Sequence, residues 1–285
     1  LGNCMLIKGP ASTELCDKIA DETDEEMVGV RSKVFPDGEV YIKLEGDVEG
    51  ERCTVVQTTY PNQHLLELYM IQDALKENGA KIIDVVVPYY SYARQDQSFE
   101  KGEPISARAF AKRIELQADN FYSIDLHSEK IIDFFSISAE NISAMPVLAN
   151  YSKTKEPDYL ISPDEGGIER VKKAADEIGL EWDHLEKKRI DAKTVNIQPK
   201  SIDVKGKSVV ILDDIISTGG TMKEAAKQLK EEGADEVHAG CTHGLFAENA
   251  LEKLEEVCDS VFCTDTIEQK SSEVSVAPLI ADMIR

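Results

Sequence analysis

Short aliphatic runs alternate with longer amphipathic stretches along most of this chain. Residues 5–8 read as a strand, Gly9-Pro10 as a turn, and Ser12 as the cap of a helix bearing Leu15, Ile19 and Ala20. Alternation over residues 40–44 and the β-branched run at 55–59 predict two further strands. Leu65, Leu68, Ile71 and Leu75 recur at helical spacing and predict a helix over 64–78, after which 82–88 is a buried strand ended by Pro88. A helix over 105–116 and a strand over 122–128 continue the pattern. Pro146 and the segment 150–157 mark a boundary, and the rhythm then repeats: strand 159–162, helix 168–178, a charged segment, strand 209–212, a helix from Lys223, strand 236–241. Strands separated by helices need crossover connections. The expected fold is therefore α/β, two similar units in tandem over 1–146 and 147–285, each a mainly parallel sheet flanked by helices.

Composition narrows the chemistry. At 42% hydrophobic and 30% charged residues the chain has the balance of a globular protein. Lys and Arg number 32 against 54 Asp and Glu, a formal charge of −22, which opposes a nucleic-acid surface because phosphate backbones need clustered cations. An acidic surface of this kind also suits a salt-rich solution. No apolar run is long enough for a membrane span, and residues 1–20 lack a basic start and a cleavable apolar core, so no membrane role and a cytoplasmic location are expected. The six cysteines contain no C-x-x-C pair, and reduced, buried thiols are expected.

The chemistry concentrates at strand ends. After residues 209–212 come Asp213 and Asp214, then the small-residue loop Ser217, Thr218, Gly219, Gly220 and Thr221, and then a helix. A helix mouth offers free amides and partial positive charge to a phosphate, and glycines remove the Cβ atoms that would block it. The two carboxylates cannot bind that phosphate and suit hydroxyls or a metal. A phosphate beside a diol describes a ribose 5-phosphate, although an ordinary strand–turn–helix with an acidic loop reads the same way. No GxxxxGK[ST] loop occurs. Pro88 is followed by Tyr89, Tyr90, Tyr92, Arg94, Gln95 and Asp96, which offer stacking and phosphate contacts at the end of a parallel strand; a packed surface loop is the alternative. His127 stands beside Asp125 at another strand end, Asp164 precedes Glu165-Gly166-Gly167, and Lys187-Lys188-Arg189 is a basic run in an acidic chain. By their residues alone, Phe35-Pro36-Asp37-Gly38-Glu39 are only a β-turn.

Together these segments resemble the ribose-phosphate pyrophosphokinase (PRPP synthetase) family in its compact archaeal form, and the loop at 213–221 resembles the 5-phosphoribosyl-diphosphate loop of the type I phosphoribosyltransferase fold. The resemblance runs from about Gly9 to Thr266. It implies two tandem type I phosphoribosyltransferase-like domains that transfer the pyrophosphoryl group of ATP to ribose 5-phosphate. It further implies ATP contacts from Phe35, Asp37, Gly38 and Glu39, often toward a neighbouring subunit's site, and from Arg94, Gln95 and Asp96. Magnesium is implied at His127 and Asp164, with Lys187 and Arg189 at the transferring group and Lys187 catalytic. Arg189, Asp213, Asp214, Ser217, Thr218, Gly219, Gly220 and Thr221 are implied for ribose 5-phosphate. A homo-oligomer, dimer or higher, and a polar loop at 97–103 covering the nucleotide follow from the same resemblance. Ser217 stands where the family commonly has Asp, Lys188 where it has Arg, and Glu165 where it has His. A phosphoribosyltransferase consuming PRPP, or a non-catalytic homologue, are the other readings.

Overall fold

The computed structural model describes residues 4–189, 195–199 and 202–284, the side chains of 187–189 and 195–198 apart. The chain divides into two units: residues 1–143 with 266–268 and 275–285, and residues 144–265 with 269–274.

Unit 1 runs β1 (Cys4–Lys8), α1 (Thr13–Thr23), β2 (Glu26–Val34), β3 (Val40–Leu44), β4 (Arg52–Val56), α2 (Asn62–Glu77), β5 (Ile82–Val87), α3 (Ser106–Ile114), β6 (Asn120–Ile124) and β7 (Ser138–Ile142). Unit 2 runs α4 (Met145–Ser152), β8 (Tyr159–Ser162), α5 (Ile168–Ile178), β9 (Glu181–Arg189), β10 (Val195–Pro199), β11 (Ser208–Ile216), α6 (Gly220–Glu231), β12 (Glu236–Gly244), α7 (Ala250–Glu255), β13 (Ser260–Thr264) and β14 (Ser272–Val274). The last helix, α8 (Ala277–Ile284), belongs to unit 1.

The described residues form two seven-stranded sheets of the same topology, β3-β2-β1-β4-β5-β6-β7 and β10-β9-β8-β11-β12-β13-β14. In each, one edge hairpin pair is antiparallel and the remaining pairs are parallel. The expected repeat of α/β units is therefore present strand for strand. β2 pairs with β1 only as far as Gly29, and its last residues, 30–34, pair with β3 alone. β9 likewise pairs with β8 as far as His184, and 185–189 pair with β10 alone. Each unit thus sends a two-stranded arm past the carboxyl ends of its parallel strands.

The helical spacing of Leu65, Leu68, Ile71 and Leu75 places all four in the core of unit 1, at 0–6% exposure. Phe121 stacks on Phe135 at 4.1 Å in the same core. Several elements differ from the sequence reading. Ser12 sits at the N-cap position of α1, but its hydroxyl accepts a hydrogen bond from Thr58 N at 3.0 Å; the Glu268 carboxylate takes Leu15 N instead, at 2.9 Å. The acidic pair lies inside β11, which continues to Ile216 because β12 continues beside it to Gly244. The charged segment after α5 is the β9–β10 hairpin. Each of the six cysteines is free and buried.

The strand carrying the acidic pair is held in place by a close approach. A Cβ on Gly240 would lie 2.5 Å from the Phe262 ring and 2.8 Å from Leu212, and Gly240 is the β12 partner of Leu212. Gly240→Ala is expected to destabilise unit 2 by about 1–3 kcal/mol through overpacking, measured by urea denaturation followed through Trp182, the chain's one tryptophan.

Candidate functional site

In unit 2 the candidate residues gather where β8 and β11 end. Asp164 follows β8, and its carboxylate accepts the Gly166 amide at 2.9 Å, opening the turn into α5, while Ser162 Oγ donates to the Asp164 carbonyl at 2.7 Å. A Cβ on Gly167 would come within 2.4 Å of Ser162 Oγ, so the turn closes this tightly only on glycine. On the neighbouring strand Asp213 accepts the Asp214 amide at 2.8 Å through its own carboxylate. The Asp214 side chain is 4% exposed and that of Asp213 19%. Burial, and then the Asp214 charge, pushes the Asp213 carboxyl well above the usual carboxylate range, and Arg170 partly opposes this. The Arg170 guanidinium, from the first turn of α5, reaches Asp214 Oδ1 at 3.1 Å and Asp213 Oδ1 at 3.6 Å. Its Nε is buried with no hydrogen-bond partner among the described residues.

Beyond Ile216 the chain turns through Ser217 and Thr218 to Gly219, whose φ of 74° is a left-handed conformation suited to glycine. α6 starts at Gly220 with no side-chain cap among the described residues. Gly220 and Thr221 are exposed. The first-turn amides of a twelve-residue helix thus face outward uncapped, an arrangement that binds anions. Lys187 and Arg189 lie on the arm of β9, opposite Ile197 and Val195; their side chains lie outside the described residues.

In unit 1, Phe35, Asp37, Gly38 and Glu39 form the tip of the β2–β3 arm. Phe35 N donates to Glu39 O at 2.8 Å, Gly38 N to Phe35 O at 2.9 Å, and Glu39 N to Asp37 Oδ1 at 3.1 Å. Gly38 has a φ of 91°. Phe35 packs edge-on to Tyr41 and lies under Lys33 Nζ at 4.8 Å, yet stays 38% exposed. Arg94, Gln95 and Asp96 follow β5. Arg94 is exposed, and Gln95 Oε1 accepts the Ser106 hydroxyl at the start of α3. Tyr89 and Tyr90 turn inward, Tyr90 donating to Ala107 O at 2.7 Å, so of the three tyrosines only Tyr92 remains exposed. His127 is exposed after β6, beyond Asp125, whose φ is 38°.

Strand order decides which of these residues stand together. β5 and β6 are neighbours, which places the loop of Arg94 next to that of His127. β2 is separated from β5 by β1 and β4, so the root of the arm and the exit to Arg94 stand about 14 Å apart across three strand spacings of the sheet. Among the described residues no group of three or more His, Cys, Asp or Glu could hold a metal. Magnesium does not require one: it keeps several waters and takes one or two carboxylates plus substrate phosphates. Asp164 is exposed.

Residues 4–117 match the family described as the N-terminal domain of ribose phosphate pyrophosphokinase, and residues 137–279 match the phosphoribosyl transferase domain. A ribose-phosphate pyrophosphokinase of Pyrococcus furiosus is 41% identical over 98% of this chain and all of its own. Ribose-phosphate pyrophosphokinase 2 of Archaeoglobus fulgidus is 43% identical over 98% of this chain and 99% of its own. This chain belongs to the ribose-phosphate pyrophosphokinase family. The crystal structure of phosphoribosylpyrophosphate synthetase from Mycobacterium smegmatis superposes with a TM-score of 0.87 at 33% identity, covering 99% of this chain and 98% of that one. The fold is that of the family, two α/β domains with a phosphoribosyltransferase-type second domain.

Arg170 is the charged neighbour of the acidic pair that sequence reasoning passed over. An Arg three residues beyond Gly166-Gly167 was the available signal, because a first-turn position on α5 lies next to the ends of β8 and β11. A carboxyl whose folded pKa is raised binds its proton more tightly when folded. Its contribution to stability is therefore full below the unfolded carboxylate pKa and lost as pH rises through the raised value. In the absence of ligands, Asp213→Asn is expected to raise Tm at pH 8, with the difference from wild type fading toward pH 4. Scanning calorimetry at both pH values checks this, and an equal shift at both would show another cause.

Proposed function

We propose that this chain is a ribose-phosphate diphosphokinase, transferring the β,γ-pyrophosphoryl group of ATP to the C1 hydroxyl of ribose 5-phosphate to give PRPP and AMP, for nucleotide biosynthesis in the cytoplasm. The observation carrying this reading is the β11–α6 connection: an acidic pair with Asp214 buried and Asp213 half-buried, a left-handed Gly219 and an uncapped helix mouth in succession. Amides at residues 217–221 suit the 5-phosphate, and Asp213 and Asp214 suit the ribose hydroxyls, with Arg189 assisting. Arg94, Gln95 and Asp96 are assigned to ATP in unit 1. Phe35, Asp37, Gly38 and Glu39 are also assigned to ATP. Their separation from Arg94 favours service to a neighbouring subunit, hence a homo-oligomer.

In the reaction O1 of the sugar attacks the β-phosphorus in line, the bond from that phosphorus to the α–β bridging oxygen breaks, and AMP leaves with the oxygen. Such a transfer needs positioning and charge neutralisation more than covalent chemistry. Lys187 and Arg189 are assigned to the shifting negative charge, Lys187 as the catalytic cation. Asp164 and His127 are assigned to magnesium, which when bound neutralises phosphate charge. Asp164 is the better matched of the two, because a hard cation prefers oxygen.

Incubation with ATP, magnesium and ribose 5-phosphate is expected to release AMP, and omission of the sugar or addition of EDTA to stop it. Consumption of PRPP with a nucleobase and no AMP release would indicate a phosphoribosyltransferase instead. Lys187→Ala is expected to lower kcat by about 10²–10³ while ribose 5-phosphate binding, followed by calorimetry, stays near wild type.

A further inference from the structure

The exit of β4 is a run of three polar residues, Gln57, Thr58 and Thr59, each no more than 1% exposed. Buried polar groups are retained where they are hydrogen-bonded, and every one of these side chains is engaged. Thr59 Oγ1 accepts the Ser91 amide at 2.9 Å, and Ser91 Oγ donates to the Thr59 carbonyl at 2.9 Å, which fixes the start of the loop carrying Arg94. Thr58 Oγ1 accepts the Tyr89 amide at 3.3 Å. Gln57 Oε1 accepts the Ala11 amide at 3.0 Å, and its Nε2 donates to His64 O at 3.1 Å and to Glu67 Oε2 at 3.3 Å.

Glu67, on α2 and 1% exposed, gathers the rest. Its Oε1 accepts Ser32 Oγ at 2.6 Å and Gln63 Nε2 at 3.0 Å; its Oε2 stands 2.5 Å from His64 Nδ1 as well as accepting Gln57. A carboxylate offers about four acceptor sites and no donor, and four neighbouring side chains fill them. Burial alone would push this carboxyl up, but hydrogen bonds from His64, Ser32 and Gln63 hold it below its ordinary value. Ser32 lies in the segment of β2 that has left the parallel sheet, three residues before Phe35.

We propose that Glu67 is a positioning residue for the nucleotide, locking the root of the β2–β3 arm, through Ser32, to the hydrogen-bonded hub that also sets the Arg94 loop. Beyond Gly29 the β2 strand of the arm has sheet pairing on one side only; α2 packs along β3, the arm's other strand, and the Ser32–Glu67 hydrogen bond adds a directional polar contact from β2 to the same helix, limiting the twist of a two-stranded ribbon. The proposal rests on the assignment of residues 35–39 to ATP.

Ser32→Ala removes the hydrogen bond from the arm to Glu67, and Glu67→Gln puts an amide donor against donors that now share a carboxylate. Both are expected to raise KM for ATP and weaken binding of α,β-methylene-ATP, whose α–β bridge cannot break, roughly 10-fold or more for Glu67→Gln and less for Ser32→Ala. KM for ribose 5-phosphate should stay within about twofold, and the double variant should be no worse than Glu67→Gln alone, because both act through one contact. A purely structural role would lower Tm and leave the ATP and ribose 5-phosphate constants unsplit, and that result overturns the proposal. So does α,β-methylene-ATP binding at wild-type strength in both variants. Failure of the wild-type enzyme to bind α,β-methylene-ATP would overturn the nucleotide assignment itself, a separate outcome.

Discussion

A strand that outruns its parallel neighbour leaves half of its backbone unpaired unless another strand joins it, and this constraint shapes both units. β2 leaves β1 after Gly29, β9 leaves β8 after His184, and each gains an antiparallel partner for the remaining residues. The resulting arms carry the segments with the sharpest chemistry in the sequence, residues 35–39 on one and Lys187 and Arg189 on the other. An arm of this kind has fewer packing partners than a central strand, so it needs local anchors. The arm of unit 1 has one in Ser32 and Glu67. In unit 2, Asp183 supplies a comparable anchor at the base: its carboxylate accepts the His184 and Ile202 amides, the first at the point where β9 leaves the sheet.

The central strands solve a different problem, that of holding charge where water is scarce. Asp214 is buried and Asp213 nearly so, adjacent in sequence on one strand. Two such carboxylates repel, and low local dielectric magnifies the repulsion. Arg170 offsets part of this by touching both. The remainder persists in the raised proton affinity of Asp213, an unfavourable pairing of charges that hydroxyl donors would offset. Stability is thereby given up at this strand end, a trade common to functional sites.

Much of this was legible in the residues. The core strands and helices followed from apolar periodicity because they are buried on defined faces: Leu65, Leu68, Ile71 and Leu75 are one such face. The tight turn into α6 was legible from Gly219 and Gly220, since few backbones other than a tight helix entry call for paired glycines after a buried strand. The arms were harder. β9 reads Glu-Trp-Asp-His-Leu-Glu-Lys-Lys-Arg, and no periodicity exposes a strand whose outer half packs against one partner. The extension of β11 through its two aspartates was missed because carboxylates have low strand propensity, and here pairing with β12 overrides it. Ser12 was rightly placed at a helix start but wrongly credited with capping it. The group that takes its part, Glu268, is distant in sequence, and local rules cannot see it. The same holds for Glu67, which sits among apolar helix positions and looks like a solvent-facing residue until Ser32 and Gln57 are brought to it.

The formal charge of −22 bears on how such a chain can work with phosphate-bearing molecules. At physiological ionic strength the screening length is about 8 Å, so the distant surface carboxylates contribute little at a strand end while neighbouring groups contribute most. Backbone amides at the mouth of α6 serve there without adding net charge and without titrating. Net composition therefore argues against long phosphate backbones, which would meet the acidic surface over many contacts, while leaving small phosphate esters untouched. An acidic surface and the phosphate site proposed for Gly219 and Gly220 are compatible because the first is a property of the whole surface and the second of one turn of backbone.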